Sequence, residues 1–197
     1  MSENKVSYGL KNVYYAVFSM DVLTGIFTYS TPVRIPGAVE MKLDPKGEQS
    51  DFYADDMNYH TESSNQGYEG TLTFARITDA FRTDVLGEVL DEEDKVLTES
   101  ADGKIKGIAL MFEFDGDVKA IRHVLYNVSV SRPGISSSTK SDKIEPSTTE
   151  LNFVAAQRPS DYKVKTSTTV ETPAAIYDNW YKKVYEKGAQ KTALEKK

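Results

Sequence analysis

The chain has 197 residues, with 24 lysines and arginines against 30 aspartates and glutamates, which gives a formal net charge of −6. This acidity excludes a general binder of nucleic-acid phosphates, because such a protein needs a basic surface. The sequence contains no cysteine, which excludes thiol nucleophiles, disulfide scaffolds, zinc ribbons and iron–sulfur clusters.

Alternating polarity dominates the first 77 residues and predicts β-strands. Val13, Tyr15 and Val17 fall on one face of the first strand, and Leu72 and Phe74 share a face of the last one. The predicted strands of this half span residues 10–18, 26–29, 39–43, 52–54, 57–61 and 68–77.

After residue 77 the apolar period changes to that of a helix. Thr78 is a favourable N-cap, and Asp79 places negative charge in the first turn. Phe81, Val85 and Val89 recur at i, i+4 and i+8. We predict a helix over residues 79–86, which either stops at Gly87 or runs on to about residue 89 or 90, with Phe81 and Val85 buried against the sheet.

The clearest hairpin signal lies at Asp115-Gly116-Asp117, because Asp-Gly between two alternating runs favours a tight turn. It joins predicted strands over residues 108–114 and 119–132. Strict alternation divides the second strand into two faces. One face carries His123, Leu125, Asn127 and Ser129. The other carries Arg122, Val124, Tyr126, Val128 and Val130.

A polar stretch over residues 136–143 precedes a final core strand at 149–155. Its composition buries little apolar area. We therefore expect it to be ordered only in an assembly, where it contacts a neighbouring molecule. The residues assigned to this candidate assembly loop are Ser136, Ser137, Ser138, Thr139 and Lys140.

The C-terminal region predicts a second helix, over about 173–186, because Pro173 follows Thr172 as a first-turn proline follows an N-cap. Its packing face is assigned to Ile176, Tyr177, Trp180 and Val184. The helix either packs on its own domain or forms an arm that reaches a neighbour. The predicted organisation is a β-rich domain over 1–158, followed by an extended segment and helix over 159–197.

Charge is distributed unevenly along the chain. Residues 44–103 hold 16 acidic and four basic side chains, while the rest holds 14 acidic and 20 basic ones. The two parts either form complementary faces of neighbouring copies, since such charges set register and steer encounter, or are simply solvated surfaces.

The sequence carries no recognisable catalytic or cofactor motif, such as G-x-S-x-G, a P-loop or G-x-G-x-x-G. His60 and Glu62 place two possible metal ligands on one strand face, but a metal site needs three or four. His123 alternates with apolar neighbours, which favours a packed strand histidine over a catalytic base. We expect that the protein is not an enzyme and that it binds neither a cofactor nor a metal ion. We also expect no membrane partner, because no apolar run approaches about 20 residues and the N-terminus lacks the apolar core of a signal peptide.

Short segments between residues 8 and 186, which cover most of the chain, occur in an order that identifies a resemblance to a known family. They are YGLKNV at 8–13, FYADD at 52–56, GYEG at 67–70, FRTDVLG at 81–87, FEF at 112–114, RHV at 122–124, YN at 126–127, SRP at 131–133 and IYDNW at 176–180. In this order they resemble the major tail proteins, or tail tube proteins, of long-tailed bacteriophages.

The resemblance implies a mainly β (α+β) fold, a β-sandwich or barrel-like tail-tube domain with one flanking helix. It implies a structural virion protein that assembles into stacked, typically hexameric rings, forming a hollow tube for DNA ejection. The implied partners are further copies of the chain, the tape measure protein and other tail proteins, with phage DNA passing through without specific binding. The implied location is the phage tail, after synthesis in the host cytoplasm.

Within that interpretation, Asp55, Asp56, Glu62 and Glu69 are candidates for the tube lumen or for contacts between rings. A lumen that passes DNA should be acidic, because a basic wall would bind phosphate through counterion release. The alternative is a monomeric β-sandwich that recognises carbohydrate or a cell-surface partner through its tyrosines.

Overall fold

The computed structural model describes residues 3–137, 139 and 147–187. This part of the chain is mainly β, as predicted, with two short helices. The elements are β1 (Ser7–Met20), β2 (Phe27–Tyr29), β3 (Val33–Arg34), β4 (Ala38–Lys46), β5 (Gln49–Ala54), β6 (Met57–Ser63), β7 (Gly67–Phe74), α1 (Asp79–Asp84), β8 (Val89–Leu90), β9 (Leu97–Thr98), β10 (Ile108–Gly116), β11 (Ile121–Val130), β12 (Thr149–Ala156), β13 (Lys165–Ser167) and α2 (Ala174–Tyr177).

One large antiparallel sheet organises the fold, with strand order β2-β1-β10-β11-β12-β7-β4. In addition, β13 pairs with β11, and β3 pairs with β1. β3 and β4 follow each other directly in the chain. β3 pairs with β1, whereas β4 pairs with β7, so this stretch links two distant strands of the sheet. The sheet therefore curls until its two sides approach each other, as in a barrel.

The main core lies inside this curl and is built by alternation. Side chains from β1, β7, β10, β11 and β12 meet there with α1, which packs against the concave face. The buried residues are Val13, Tyr15, Ile35, Leu72, Phe74, Ile77, Phe81, Val85, Leu86, Ile108, Leu110, Phe112, Leu125, Val128, Val130, Leu151, Phe153 and Ala155.

The helix α1 begins where predicted but is shorter than predicted. The Thr78 hydroxyl accepts a hydrogen bond from the Phe81 backbone N–H at 3.3 Å, so Thr78 is the N-cap. The helix ends at Asp84, and Gly87 then adopts a φ of +78°, which other residues rarely adopt and which ends the helical path. Asp84 accepts a hydrogen bond from the Tyr15 hydroxyl at 2.7 Å, which fixes the helix on β1.

The predicted faces of β11 are wrong from residue 127 onward, because the strand contains a β-bulge. Leu110 pairs with Leu125, while Ile108 pairs with Val128, so β11 has one extra residue between these pairs. The bulge reverses the alternation. As a result, Val128 and Val130 join Leu125 in the main core, which strict alternation placed on the opposite face.

The β10–β11 turn is wider than the Asp-Gly signal predicts, since its closing pair is Phe114 with Ile121. Asn4 explains the wider loop. Its side-chain oxygen accepts hydrogen bonds from the backbone N–H groups of Val118 and Lys119, each at 3.0 Å. The N-terminal segment thus holds this connection by hydrogen bonds that a two-residue turn could not make.

Candidate assembly surfaces

A two-stranded hairpin formed by β5 and β6 projects beyond the curled sheet. It continues the pairing of β4 with β7, through hydrogen bonds from Gln66 N–H to Lys46 C=O and from Ser64 N–H to Glu48 C=O. Every residue of β5 and β6 is exposed except Ala54, which is half-buried. We call residues 48–64 the arm. With six residues in β5, its paired part is about 20 Å long.

The arm exposes both polar and apolar side chains. One face carries polar side chains in contact, since the Thr61 hydroxyl donates to Asp51 at 2.6 Å and Asn58 donates to Thr61 at 3.0 Å. The other face presents Phe52, which is 62% exposed, and Met57, while the exposed Tyr53 lies opposite Asn58 on the first face. An exposed apolar face on a projecting hairpin is typical of an interaction surface.

The four candidate acidic residues do not form one cluster. Asp55 and Asp56 form the tip of the arm, with φ values of 52° and 58°, and Glu62 lies on β6. Glu69 lies instead on β7, opposite Asp44 of β4 and 4.0 Å from Lys46. The arm as a whole carries five acidic residues and no lysine or arginine.

The outer face of β4, β7 and β12 is polar. On these strands most apolar side chains point into the core, so the intervening residues point outward, and Val154 is the apolar exception on β12. Glu40 lies opposite Thr73, which in turn lies opposite Glu150. The polar residues of this polar sheet face are Glu40, Lys42, Asp44, Lys46, Glu69, Thr71, Thr73, Glu150 and Asn152.

The outer face of β1, β10 and β11 is apolar and is covered by the C-terminal strap, residues 168–187. Trp180 and Val184 are buried there against Ala16, Met111 and Val124, and Ile176 is partly buried. The Tyr177 hydroxyl donates to the Ala120 carbonyl at 3.0 Å. The second helix is much shorter than predicted, because α2 ends at Tyr177.

Turns replace the predicted helix after Tyr177. Hydrogen bonds from Trp180 N–H to Tyr177 C=O and from Lys182 N–H to Asn179 C=O span three residues each. This tighter winding still brings Trp180 and Val184 to the sheet. The side-chain amide of Asn179 donates to the Ala175 carbonyl at 2.8 Å and closes the last helical turn.

Two arginines hold the strap to the sheet. Arg122 pairs with the buried Glu113 at 2.8 Å, and its guanidinium lies 3.7 Å from the centre of the Tyr177 ring. The Tyr181 hydroxyl donates to the same glutamate at 3.3 Å. Burial raises the pKa of Tyr181, and the nearby Glu113 charge raises it further, so the hydroxyl stays a donor.

The second arginine, Arg158, is almost completely buried. It pairs with Asp161 and with Glu186 of the strap, and its guanidinium lies 4.2 Å from the centre of the Tyr126 ring. Burial raises the pKa of Asp161, but hydrogen bonds from Arg158 and Lys163 outweigh that effect and lower it to about 2. The ion pair between Arg158 and Asp161 therefore stays ionised in mild acid.

The described residues include part of the candidate assembly loop. Ser136, Ser137 and Thr139 are exposed, while Ser138 and Lys140 lie outside the described residues. Ser136 also lines a cavity beside α1. The assembly role of this loop stays a prediction.

The histidines are far apart and differ in environment. His60 is exposed on the arm, whereas His123 stacks on Phe112 with ring centres 5.0 Å apart. Within the described part of the chain, no group of three or more His, Asp or Glu side chains could hold a metal ion. No helix in that part is long and apolar enough to cross a membrane.

His123 predicts a pH dependence of stability. Burial lowers its pKa from 6.5 to about 4, and the positive charge of Lys165 adds to this effect. Between these pKa values the unfolded chain binds a proton that the folded chain does not. The folded state should therefore lose about 3 kcal/mol as the pH falls from 6.5 to 4.

Urea unfolding of the His123→Leu variant at pH 7.5 and 4.5 tests this expectation. The substitution should remove about 2–3 kcal/mol of the loss of stability between the two pH values. His60→Leu is the matched control, since His60 is exposed. An unchanged pH dependence in His123→Leu would contradict the argument.

The comparisons with known proteins give weak likenesses. No family model matches the chain, and no curated protein matches its sequence. A chain in the cryo-EM structure of the anti-feeding prophage cap, described as a tube terminating cap, is similar with a TM-score of 0.47 and 11% identity, over 85% of this chain and 96% of that one. A chain in the six-fold symmetrised structure of the anti-feeding prophage baseplate gives a TM-score of 0.46 and 10% identity, over 87% of this chain and 99% of that one. At such TM-scores neither likeness supports a conclusion about this chain.

Proposed function

We propose that the chain is the major tail tube subunit of a long-tailed bacteriophage. The observation that carries the proposal is the acidic, exposed arm, which extends from one end of a curled β-sheet. The ordered segments from residue 8 to 186 that resemble tail tube proteins support the same assignment. The subunits form rings, for which the resemblance implies six copies, and the rings stack into a hollow tube.

The arm suits a contact between rings. A subunit that stacks in one direction needs heterologous contacts, in which one surface of a copy meets a different surface of the next. The arm leaves the sheet at the end where β4 finishes, at Lys46, and β7 begins, at Gly67. Its exposed Phe52 and Met57 supply apolar area that a neighbouring copy can bury.

The polar sheet face suits a lumen. Its ionisable side chains include Glu40, Asp44, Glu69 and Glu150 against Lys42 and Lys46, so acidic groups predominate. Repeated around a ring, these charges produce a negative field that repels DNA phosphates. DNA then passes without specific binding, while the tape measure protein and the other tail proteins complete the virion.

Electron microscopy of the purified protein over a concentration series tests the proposal. The wild-type chain should form rings and tubes. A variant in which the tight turn Asn-Gly replaces residues 48–64 should form no tubes, because the contact between rings is lost, yet keep the wild-type melting temperature.

A chain that stays monomeric at every concentration would contradict the proposal and favour the binding module. Tubes formed equally well by the variant that lacks the arm would contradict the stacking role of the arm. Phe52→Ala, which leaves the arm in place, is the control for the deletion and should weaken tube formation without abolishing it.

A further inference from the structure

A cavity lies beside α1 at the opposite end of the sheet from the arm. Its volume is about 240 Å³, larger than the roughly 150 Å³ cavity that accommodates benzene in an engineered protein core. Its apolar lining includes Ile77, Leu86 and Ile135, and Ile135 is 94% exposed. A cavity of this kind can receive one large apolar side chain.

The strand register places the arm and the cavity at opposite ends. Lys46 pairs with Gly67 where the arm begins, whereas Ala38 pairs with Phe74 at the other end of the same two strands. Phe74 leads through Ile77 to α1, which lies beside the cavity. In a stack of copies with one orientation, the arm of one copy therefore points toward the cavity end of the next.

The charges at the two ends are complementary. The cavity is lined by Arg76, Arg82 and Arg132 against Glu88 and Glu99. Arg82 pairs with the buried Glu88, and Arg132 pairs with Glu99, each at 2.8 Å. The Arg76 side chain pairs with Asp79 at 3.4 Å but is 80% exposed, so an acidic partner can reach it. Its guanidinium can form a second, outward ion pair.

We infer that the tip of the arm binds in this cavity of the next copy, an inference that rests on the proposed function. Asp55 and Asp56 meet the exposed guanidinium of Arg76, and Met57 enters the apolar part beside Ile135. Charge complementarity sets the register, and burial of the apolar tip adds affinity. Ser136 lines the same cavity, so the candidate assembly loop begins at this contact.

The natural absence of cysteine allows a clean cross-linking test. Tubes of Met57→Cys/Ile135→Cys, treated with a short thiol-specific cross-linker, should give a ladder of covalent multimers on a denaturing gel. The matched control is Met57→Cys/Leu23→Cys. Leu23 is 96% exposed, close to the value for Ile135, but lies in the β1–β2 turn and does not line the cavity. The control should give no ladder.

A charge exchange provides the second test. Arg76→Glu should raise the protein concentration at which tubes form several-fold, and Asp56→Arg in the same chain should restore it. Three results would each overturn the inference, given that the wild type forms tubes. They are the absence of a ladder from the Ile135 variant, an equal ladder from the Leu23 control, and a failure of Asp56→Arg to restore tube formation. Absence of wild-type tubes would instead reject the proposed function.

Discussion

Replacement of Phe81 by alanine should lower the free energy of unfolding by about 3–5 kcal/mol, because it leaves a cavity in the main core. Phe81 is 1% exposed, and its ring packs edge-on against Tyr15 with centres 5.1 Å apart. Tyr15 also holds α1 through Asp84. The loss should therefore loosen both the helix and its contact with β1, and urea unfolding at neutral pH measures it.

Phe52→Ala is the matched control for this prediction. The same substitution is made on the arm, where Phe52 is exposed, so the free energy of unfolding should change by less than about 0.5 kcal/mol. Its effect should be on tube formation instead. A melting curve of Phe81→Ala that matches the wild type would contradict the assignment of this residue to the core.

The strands and the inner core could be predicted from the sequence because alternation is a local pattern. Val13 and Tyr15 on β1, and Leu72 and Phe74 on β7, all point into the core as the pattern predicts. The short strands β3 and β13 were not predicted, since two or three residues carry no readable period. Their pairing depends on neighbours that are distant in sequence.

The bulge in β11 shows where local alternation fails. One extra residue between the pairs Leu110–Leu125 and Ile108–Val128 reverses the faces beyond it. Val124, Tyr126, Val128 and Val130 form one continuous apolar face under strict alternation. In the fold the first two are buried beneath the strap, whereas the last two lie in the main core. The sequence alone does not show at which residue the pairing of β11 with its neighbouring strand accommodates the extra residue.

The surfaces were harder to predict than the core. The sequence predicts short strands over residues 52–54 and 57–61, but not that both faces of the hairpin they form are exposed. Glu113 between two phenylalanines and Arg158 before Pro159 were the available signals for the buried ion pairs that hold the strap. Their partners lie on other elements, so only the fold reveals them.

Two triple charge reversals should separate the roles of the arm and of the polar sheet face. One variant replaces Asp55, Asp56 and Glu62 of the arm by lysine, and the other replaces three exposed acids of the sheet face, Glu40, Glu69 and Glu150. Each variant changes the formal charge of a subunit from −6 to 0. The two are therefore matched in charge and differ only in place.

The arm variant should form no tubes, because its lysines meet the exposed guanidinium of Arg76 in the next copy and reverse the complementarity that sets the register. The sheet-face variant should assemble, but its tubes should retain DNA and eject it slowly, since its lumen attracts phosphate. Electron microscopy measures the first effect, and the rate of DNA release from particles carrying each variant measures the second. Normal ejection through sheet-face tubes would show that this face points away from the lumen. Normal tubes from the arm variant would show that the arm takes no part in the contact between rings. The acidity of the arm would then contribute to solubility alone.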